Sequence, residues 1–308
     1  MIGKLRPYIG ILNSLADSLA LLDLLQSYAS MVTLSNGMLT RPQFNAAGAI
    51  AIEKGRHPLE TMVTPEQFIP NDCFLTEECC MKILHGPNMS GKSTYLRQVA
   101  LLTIMAHTGS FVPAVRSSFG NIDRIFTRIG TNGNSKQSVT VTFIKFHRRF
   151  ILSFIRPSLT DDMEANASTF MLEMVEVQNI LQNCTCQSLA IIDELGRGTS
   201  SSDGVGIAWS VSEYLIGTGV LTLFATHFLQ LLQLENIYIQ CKVMFLQYDV
   251  SSKDIQYRYI MKEGRKEDDG YGIKTARAAG FPESVLADAE KSRSAVMRFN
   301  GELQSAHV

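Results

Sequence analysis

The sequence predicts an α/β fold built around a phosphate-binding loop, and three observations carry that prediction. The apolar run MKILH at 81–85 leads into Gly86-Pro87-Asn88-Met89-Ser90-Gly91-Lys92-Ser93, and a helical stretch opens at Thr94. Apolar runs with strand character recur at 122–128, 188–192 and 220–225, with helical stretches such as 205–215 between them. Strands and helices alternate in this way when parallel strands are joined by right-handed crossovers. The third observation is bulk composition: 308 residues, 45% hydrophobic and 19% charged, have enough apolar surface to offset the entropy of ordering a large core.

Taken in order, the chain begins with Leu12, Leu15, Leu19 and Leu22 at helical spacing, one stripe of a helix that ends before Asn36-Gly37. A single long helix at a chain terminus has little to bury against, so it is expected to be the tail of a larger helical unit. Asn13, Asp17 and Asp23 interrupt its apolar run, which argues against a signal peptide or a membrane span. After the loop, the helix from Thr94 runs toward His107, with Gly109 placed to end it. Beyond Gly264, the charged RKEDDG reads as a solvated loop, and two helices close the chain, the second opening at Pro282.

The spacing GxxxxGK[ST] between strand and helix is the pattern of a nucleotide-binding P-loop. Glycines 86 and 91 let backbone N–H groups close around phosphate, the helix N-terminus adds partial positive charge, and Lys92 reaches the β- and γ-phosphates of ATP. Ser93 offers a hydroxyl to Mg2+. A second element, LAII followed by Asp193-Glu194, is an apolar strand ending in adjacent carboxylates. Alone, such a pair is more often a helix cap or loop feature. About a hundred residues after the loop it reads as a Walker B strand, with Asp193 in the Mg2+ shell and Glu194 polarising the attacking water as general base. The small-residue loop 195–204 that follows could be a mere turn. Farther on, TLFAT ends in His227 on a strand expected to flank the P-loop strand; lone histidines are usually structural, and here a γ-phosphate sensor is the favoured reading.

Net charge is −1, so no global excess of base marks a polyanion partner. The six cysteines form no CxxC pair and no zinc-spaced array, which points to a reducing compartment.

At this point the ordered segments GPNMSGKST, NASTFMLEM, IIDELGRGTSSSDG and TLFATHF resemble the ATPase motifs of the MutS family, with GRHP at 55–58, FIPND at 68–72 and YGIKTARAAGFPESVLADA at 271–289 extending the likeness over nearly all of 10–295. Within that family, Ser90, FTRIG at 126–130 and ANASTFMLEM at 165–174 look most like the meiosis-specific fourth eukaryotic homologue. The resemblance implies a P-loop NTPase of ABC-ATPase type at 46–280, a remnant of a helical lever domain at 1–45 and a C-terminal helical tail at 281–308. It implies that Ser168 and Thr169 act as a trans signature on a partner's nucleotide, that Phe68 and Ile69 flank the adenine, and that Tyr259 stacks there. It further implies a nuclear, chromosomal protein without a membrane that pairs with the fifth homologue and clamps DNA recombination intermediates such as Holliday junctions in meiotic crossing over. A mismatch-repair homologue, or a catalytically silent partner-binding fragment, are the alternatives; a transporter-type subunit is disfavoured because no LSGGQ-like segment occurs.

Two departures from the family pattern stand out. The mismatch-recognition, connector and clamp regions lie outside the resemblance, so DNA contact of their kind is not expected of this stretch. Residues 132–160 interrupt the pattern with five basic residues and no acid, and the flanks read smoothly if they are removed. They are expected to be an insertion without function, or retained non-coding sequence, more than a nucleic-acid contact. A loop of that length is uncommon in a compact domain.

Overall fold

The computed structural model describes residues 8–35, 38–63, 68–129, 139–146, 149–155, 169–250, 255–266 and 271–305. In chain order the first half gives α1 (Ile9–Leu34), β1 (Gln43–Phe44), β2 (Ile50–Gly55), α2 (Pro58–Val63), β3 (Asn71–Leu75), β4 (Met81–His85), α3 (Lys92–His107), β5 (Arg116–Phe119), β6 (Arg124–Arg128), β7 (Val139–Phe146) and β8 (Arg149–Ile155). The second half gives α4 (Thr169–Asn183), β9 (Leu189–Asp193), α5 (Ser201–Gly217), β10 (Leu221–Thr226), α6 (Leu234–Ile237), β11 (Cys241–Val250), β12 (Ile255–Glu263), α7 (Tyr271–Ala278) and α8 (Glu283–Ser305).

Near-continuous apolar strands are those that must be covered on both faces. In accord with that, every residue of β4, β9 and β10 is buried. They lie inside a sheet of order β12-β11-β4-β10-β9-β6-β7-β8, in which β11, β4, β10, β9 and β6 are parallel neighbours. Pairing of Thr226 with His85, and of Ala225 with Asp193, brings the C-terminal ends of three neighbouring strands into one row. Ligands of open α/β sheets bind outside those strand ends. Phe126, Phe224, Ile83, Leu96 and Leu102 are among the fully buried side chains behind them, each stabilising the fold by about 1.5–3 kcal/mol.

The expected parallel sheet is therefore mixed: antiparallel pairs close both ends, β11 with β12 and β6 with β7 and β8. A second sheet, β1-β5-β2-β3, was not foreseen, because its strands are short and come from distant parts of the chain. The strand expected from Ile122 begins at Arg124; the N–H of Ile122 goes to His107 Nε2 and that of Asp123 to the Gln187 carbonyl. Helix α3 starts at Lys92, two residues before Thr94, and ends where Gly109 takes a φ of +84°. Within the interrupting stretch, β7 pairs antiparallel with β6 and β8 pairs antiparallel with β7, so its described residues extend the sheet.

Helix α1 has no buried residue; Leu12, Leu15, Leu19 and Leu22 are all exposed, so the stripe the spacing predicted meets no partner among the described residues. Tyr28 Oη donates to the Thr108 carbonyl at 3.1 Å and ties α1 to the end of α3. By length and composition alone, α1 is also long and apolar enough to cross a membrane, even with Asp17 and Asp23 in it.

Candidate functional site

The loop between β4 and α3 takes a path that glycine permits. Gly86 and Gly91 have φ of +149° and +98°, and Met89 enters the left-handed region at +63°. Pro87 and Ser90 are buried, Asn88 and Met89 exposed, and Ser90 Oγ donates to the Pro87 carbonyl at 2.9 Å. Lys92 is buried and its Nζ folds back onto the loop, donating to the carbonyls of Gly86 at 2.8 Å and Pro87 at 2.9 Å. Burial holds its pKa below the usual lysine range, and the charges of Glu194 and Asp193 work against that shift. A polyanion over this loop would offer Lys92 the counter-charge that two carbonyls do not.

Ser93, on the first turn of α3, donates to Asp193 Oδ2 at 2.5 Å, which joins the P-loop helix to the end of β9. Asp193 is buried and its Oδ1 has no hydrogen-bond partner among the described residues. Desolvation raises the Asp193 pKa, opposed first by the Ser93 hydrogen bond. A buried acceptor without a donor costs about 1–3 kcal/mol. Beside the Ser93 hydroxyl, that orphaned oxygen suits a hard divalent cation.

Glu194, next along the chain, turns the backbone at a φ of +57° and donates its N–H to Ala225 at 2.8 Å. Its carboxylate is held at both oxygens: His227 Nε2 lies 2.9 Å from Oε1 and Arg197 Nη1 2.5 Å from Oε2. The His227 hydrogen bond is the main reason its pKa falls below the usual value, with burial opposing and Arg197 adding to the fall. A carboxylate only accepts, so the Nε2 that faces it carries the proton. The contact of 3.5 Å between that same nitrogen and Lys92 Nζ is then a proximity, not a hydrogen bond. Lys92, Ser93, Asp193, Glu194 and His227 thus converge on one side of the loop.

The turn 195–204, which the sequence left open as a mere turn, brings in Arg197 and a glycine crossing. A Cβ on Gly204 would sit 2.4 Å from the Gly196 carbonyl oxygen, and one on Gly196 would sit 2.7 Å from the Gly204 oxygen. Alanine in a helix normally stabilises relative to glycine by about 1 kcal/mol. Here backbone meets backbone, so the sign reverses: Gly204→Ala should destabilise by about 1–3 kcal/mol, measured as a lower urea midpoint. An unchanged or higher midpoint would show that the turn after Glu194 yields freely.

On the other side of the loop a cavity of about 380 Å³ is lined by Phe68, Ile69, Gly91, Thr94, Gln98 and Tyr259, among others. This gathers the residues proposed to flank a base beside the residues proposed to hold phosphate. Asn71 sets the rim: its Nδ2 donates to the Tyr259 carbonyl at 2.8 Å and its Oδ1 accepts from the Met261 N–H at 2.7 Å. Tyr259 has a φ of +56°, and its ring would be 3.2 Å from a Cβ on Gly91. Asn71 was not singled out in the sequence; its presence in FIPND, beside Phe68 and Ile69, was the available signal. Thr169 is the first residue of α4, and Ser168 lies outside the described residues.

A family model described as MutS domain V matches residues 82–153 and 148–297. The two matches overlap at 148–153, inside the stretch that interrupts the motif pattern. The chain is 38% identical over 304 residues to human "MutS protein homolog 4", covering 97% of this chain and 29% of that protein. It is 43% identical over 281 residues to "DNA mismatch repair protein MutS" of Clostridium tetani, covering 90% of this chain and 28% of that protein. To "DNA mismatch repair protein MSH4" of Arabidopsis thaliana it is 37% identical over 288 residues, covering 93% of this chain and 33% of that protein. The chain therefore spans a third or less of the length of these relatives.

Proposed function

We propose the function of this chain from one premise: it belongs to the MutS family, whose domain V it carries. It binds ATP with Mg2+ and hydrolyses it in a P-loop domain of ABC type. The observation that carries this reading is the 2.5 Å contact between Ser93 and Asp193 beside the buried, unpartnered Asp193 Oδ1. Gly86, Pro87, Asn88, Met89, Ser90, Gly91, Lys92, Ser93 and Thr94 hold the phosphates; Phe68 and Ile69, with Tyr259, flank the base. Ser93 and Asp193 would hold Mg2+, which when bound neutralises phosphate charge as it builds in the transition state.

Within that frame each side chain has a task. Lys92 exchanges the carbonyls of Gly86 and Pro87 for phosphate oxygens. Glu194 accepts a proton from the attacking water; each carboxylate oxygen keeps a second lone-pair direction beside the bond it already accepts. Arg197 and His227 fix the plane of that carboxylate, and His227 Nε2 stands 3.5 Å from Lys92 Nζ, where the terminal phosphate is expected.

The metal seat is tested through Ser93. Mg2+ should tighten ATP binding by wild type, and Ser93→Ala should lose about 10-fold or more of that gain, the worth of one contact to a charged group. Titration calorimetry with and without Mg2+ decides it. An equal Mg2+-dependent gain in both proteins would remove Ser93 from the site.

The wider role we propose is that of the ATPase part of a nuclear, DNA-binding MutS homologue in meiotic recombination and crossing over. Its partner is the fifth homologue, its substrate Holliday junctions or related intermediates, and Ser168 and Thr169 reach the partner's nucleotide. The 97% coverage by human "MutS protein homolog 4" supports this reading. A mismatch-repair role is the second reading, favoured by the 43% identity to the Clostridium tetani protein. Pull-down with the ATPase half of the fifth homologue in Mg·ATP separates them: capture supports the meiotic reading, and its loss in favour of a mismatch-repair partner overturns it.

A further inference from the structure

Behind the carboxylate pair lies a buried cation that the chemistry described so far does not use. Arg128, the last residue of β6, is 8% exposed. Its Nη1 donates to the Asp193 carbonyl at 2.7 Å, its Nη2 lies 2.9 Å from Glu173 Oε1, and its Nε lies 3.7 Å from Glu176 Oε2. Glu173 and Glu176 are one turn apart on α4, so one helix face meets the guanidinium. Glu173, itself 4% exposed, uses the same Oε1 to accept the Gly196 N–H at 3.0 Å. A third grip comes from Phe170 of α4, whose Cβ would be 3.1 Å from a Cβ on Gly198. The backbone is thus clasped immediately before Glu194, at Asp193, and again two residues after it, at Gly196.

We propose that Arg128 is a positioning residue for hydrolysis: it sets the Glu194 carboxylate by fastening the peptide units on either side of it to α4. This rests on the ATPase reading above. The physical argument is one of geometry. Glu194 sits in the left-handed region, where few residues rest without support, and its direction follows from the peptide planes at 193 and 196. A planar guanidinium can hold a carbonyl and a carboxylate at once; an ammonium on a flexible stem cannot hold both in a fixed relation. Because α4 begins at Thr169, the fastening also runs from the end of that helix proposed to face a partner's nucleotide to this chain's own general base. A shift of α4 on pairing would therefore be felt at Glu194.

Simple removal of Arg128 would leave Glu173 buried and unpaired, which by itself destabilises. The test therefore uses two variants of the full chain, Arg128→Lys and the charge-balanced double variant Arg128→Met with Glu173→Gln, whose amide oxygen still accepts the Gly196 N–H. ATP affinity by calorimetry, Tm, and single-turnover hydrolysis are read for each beside wild type. The expected result is ATP affinity within about 3-fold of wild type in both, a Tm of the double variant near that of wild type, and hydrolysis slower by about 10-fold or more in both. Wild-type turnover in Arg128→Lys, or recovery of turnover along with Tm in the double variant, would show a purely structural ion pair and overturn the proposal. Absence of turnover in wild type itself would instead overturn the ATPase reading and the proposal with it, so the two failures are distinguishable.

Discussion

Lys92→Ala is expected to lose ATP affinity by about 100-fold or more while leaving the fold as stable as before. The affinity side follows from what Nζ does: it is the buried cation of the loop, already donating to two carbonyls and poised to donate to phosphate instead. Hydrogen bonds to charged groups contribute about 1.5–3 kcal/mol each, and 1.4 kcal/mol is tenfold in Kd, so loss of a pair of them reaches that range. The stability side has the opposite sign. Burial depresses the Lys92 pKa, so holding this charge costs stability, and its removal offsets the loss of the two hydrogen bonds to the Gly86 and Pro87 carbonyls. Calorimetry should therefore show lost binding while thermal unfolding shows an unchanged or higher Tm. Equal ATP affinity in the two proteins would refute the assignment of this loop to phosphate.

Glu194→Gln is expected to keep ATP binding and to slow hydrolysis by about 10²–10⁴-fold, the range for loss of a positioned base. The substitution keeps size and shape, and one amide oxygen can still accept from His227 or Arg197, so the 195–204 turn should stand. It cannot take a proton from water. Single-turnover measurements separate the step from product release; matching rates would remove Glu194 from that role. The residues proposed to hold phosphate and Mg2+, Lys92, Ser93 and Asp193, are untouched by the change, so Kd should move less than about 3-fold, well inside one tenfold step of 1.4 kcal/mol.

What could be read from the chain before its structure was local. The glycine-containing loop after β4, the end of β9 and the end of β10 were legible as candidate positions because a glycine pattern, an acidic pair and a histidine each sit directly on an apolar run. Their meeting was legible only through the fold, since Ser93 and Asp193 are 100 residues apart. The pairing of Asn71 with Tyr259, 188 residues apart, and that of Arg128 with Glu173 gave no local sign, because a distant strand or helix supplies each partner. Likewise, Arg197 was passed over as part of a small-residue turn, although its place three residues after Glu194 is what lets it reach the carboxylate. The pairing of β7 with β8 was not legible for another reason: that the flanks read smoothly without the stretch says nothing about whether its own residues pair.

That pairing has a consequence for the chain as a solute. The sheet ends in β8, which pairs with β7 on one side and with no other described strand. Its sequence, RFILSFI, holds one basic residue, no acid and no proline, whereas proteins ordinarily blunt an open edge with charge, proline or a bulge. A strand of this composition whose outer edge meets no other described strand is a template for the same strand in another molecule. Colloidal behaviour is therefore set far from the phosphate loop: light scattering should rise with protein concentration and fall when Ile151→Lys is introduced, with ATP affinity unmoved. Two copies joined along β8 would be back-to-back through their sheet edges, a self-association that nucleotide neither drives nor dissolves.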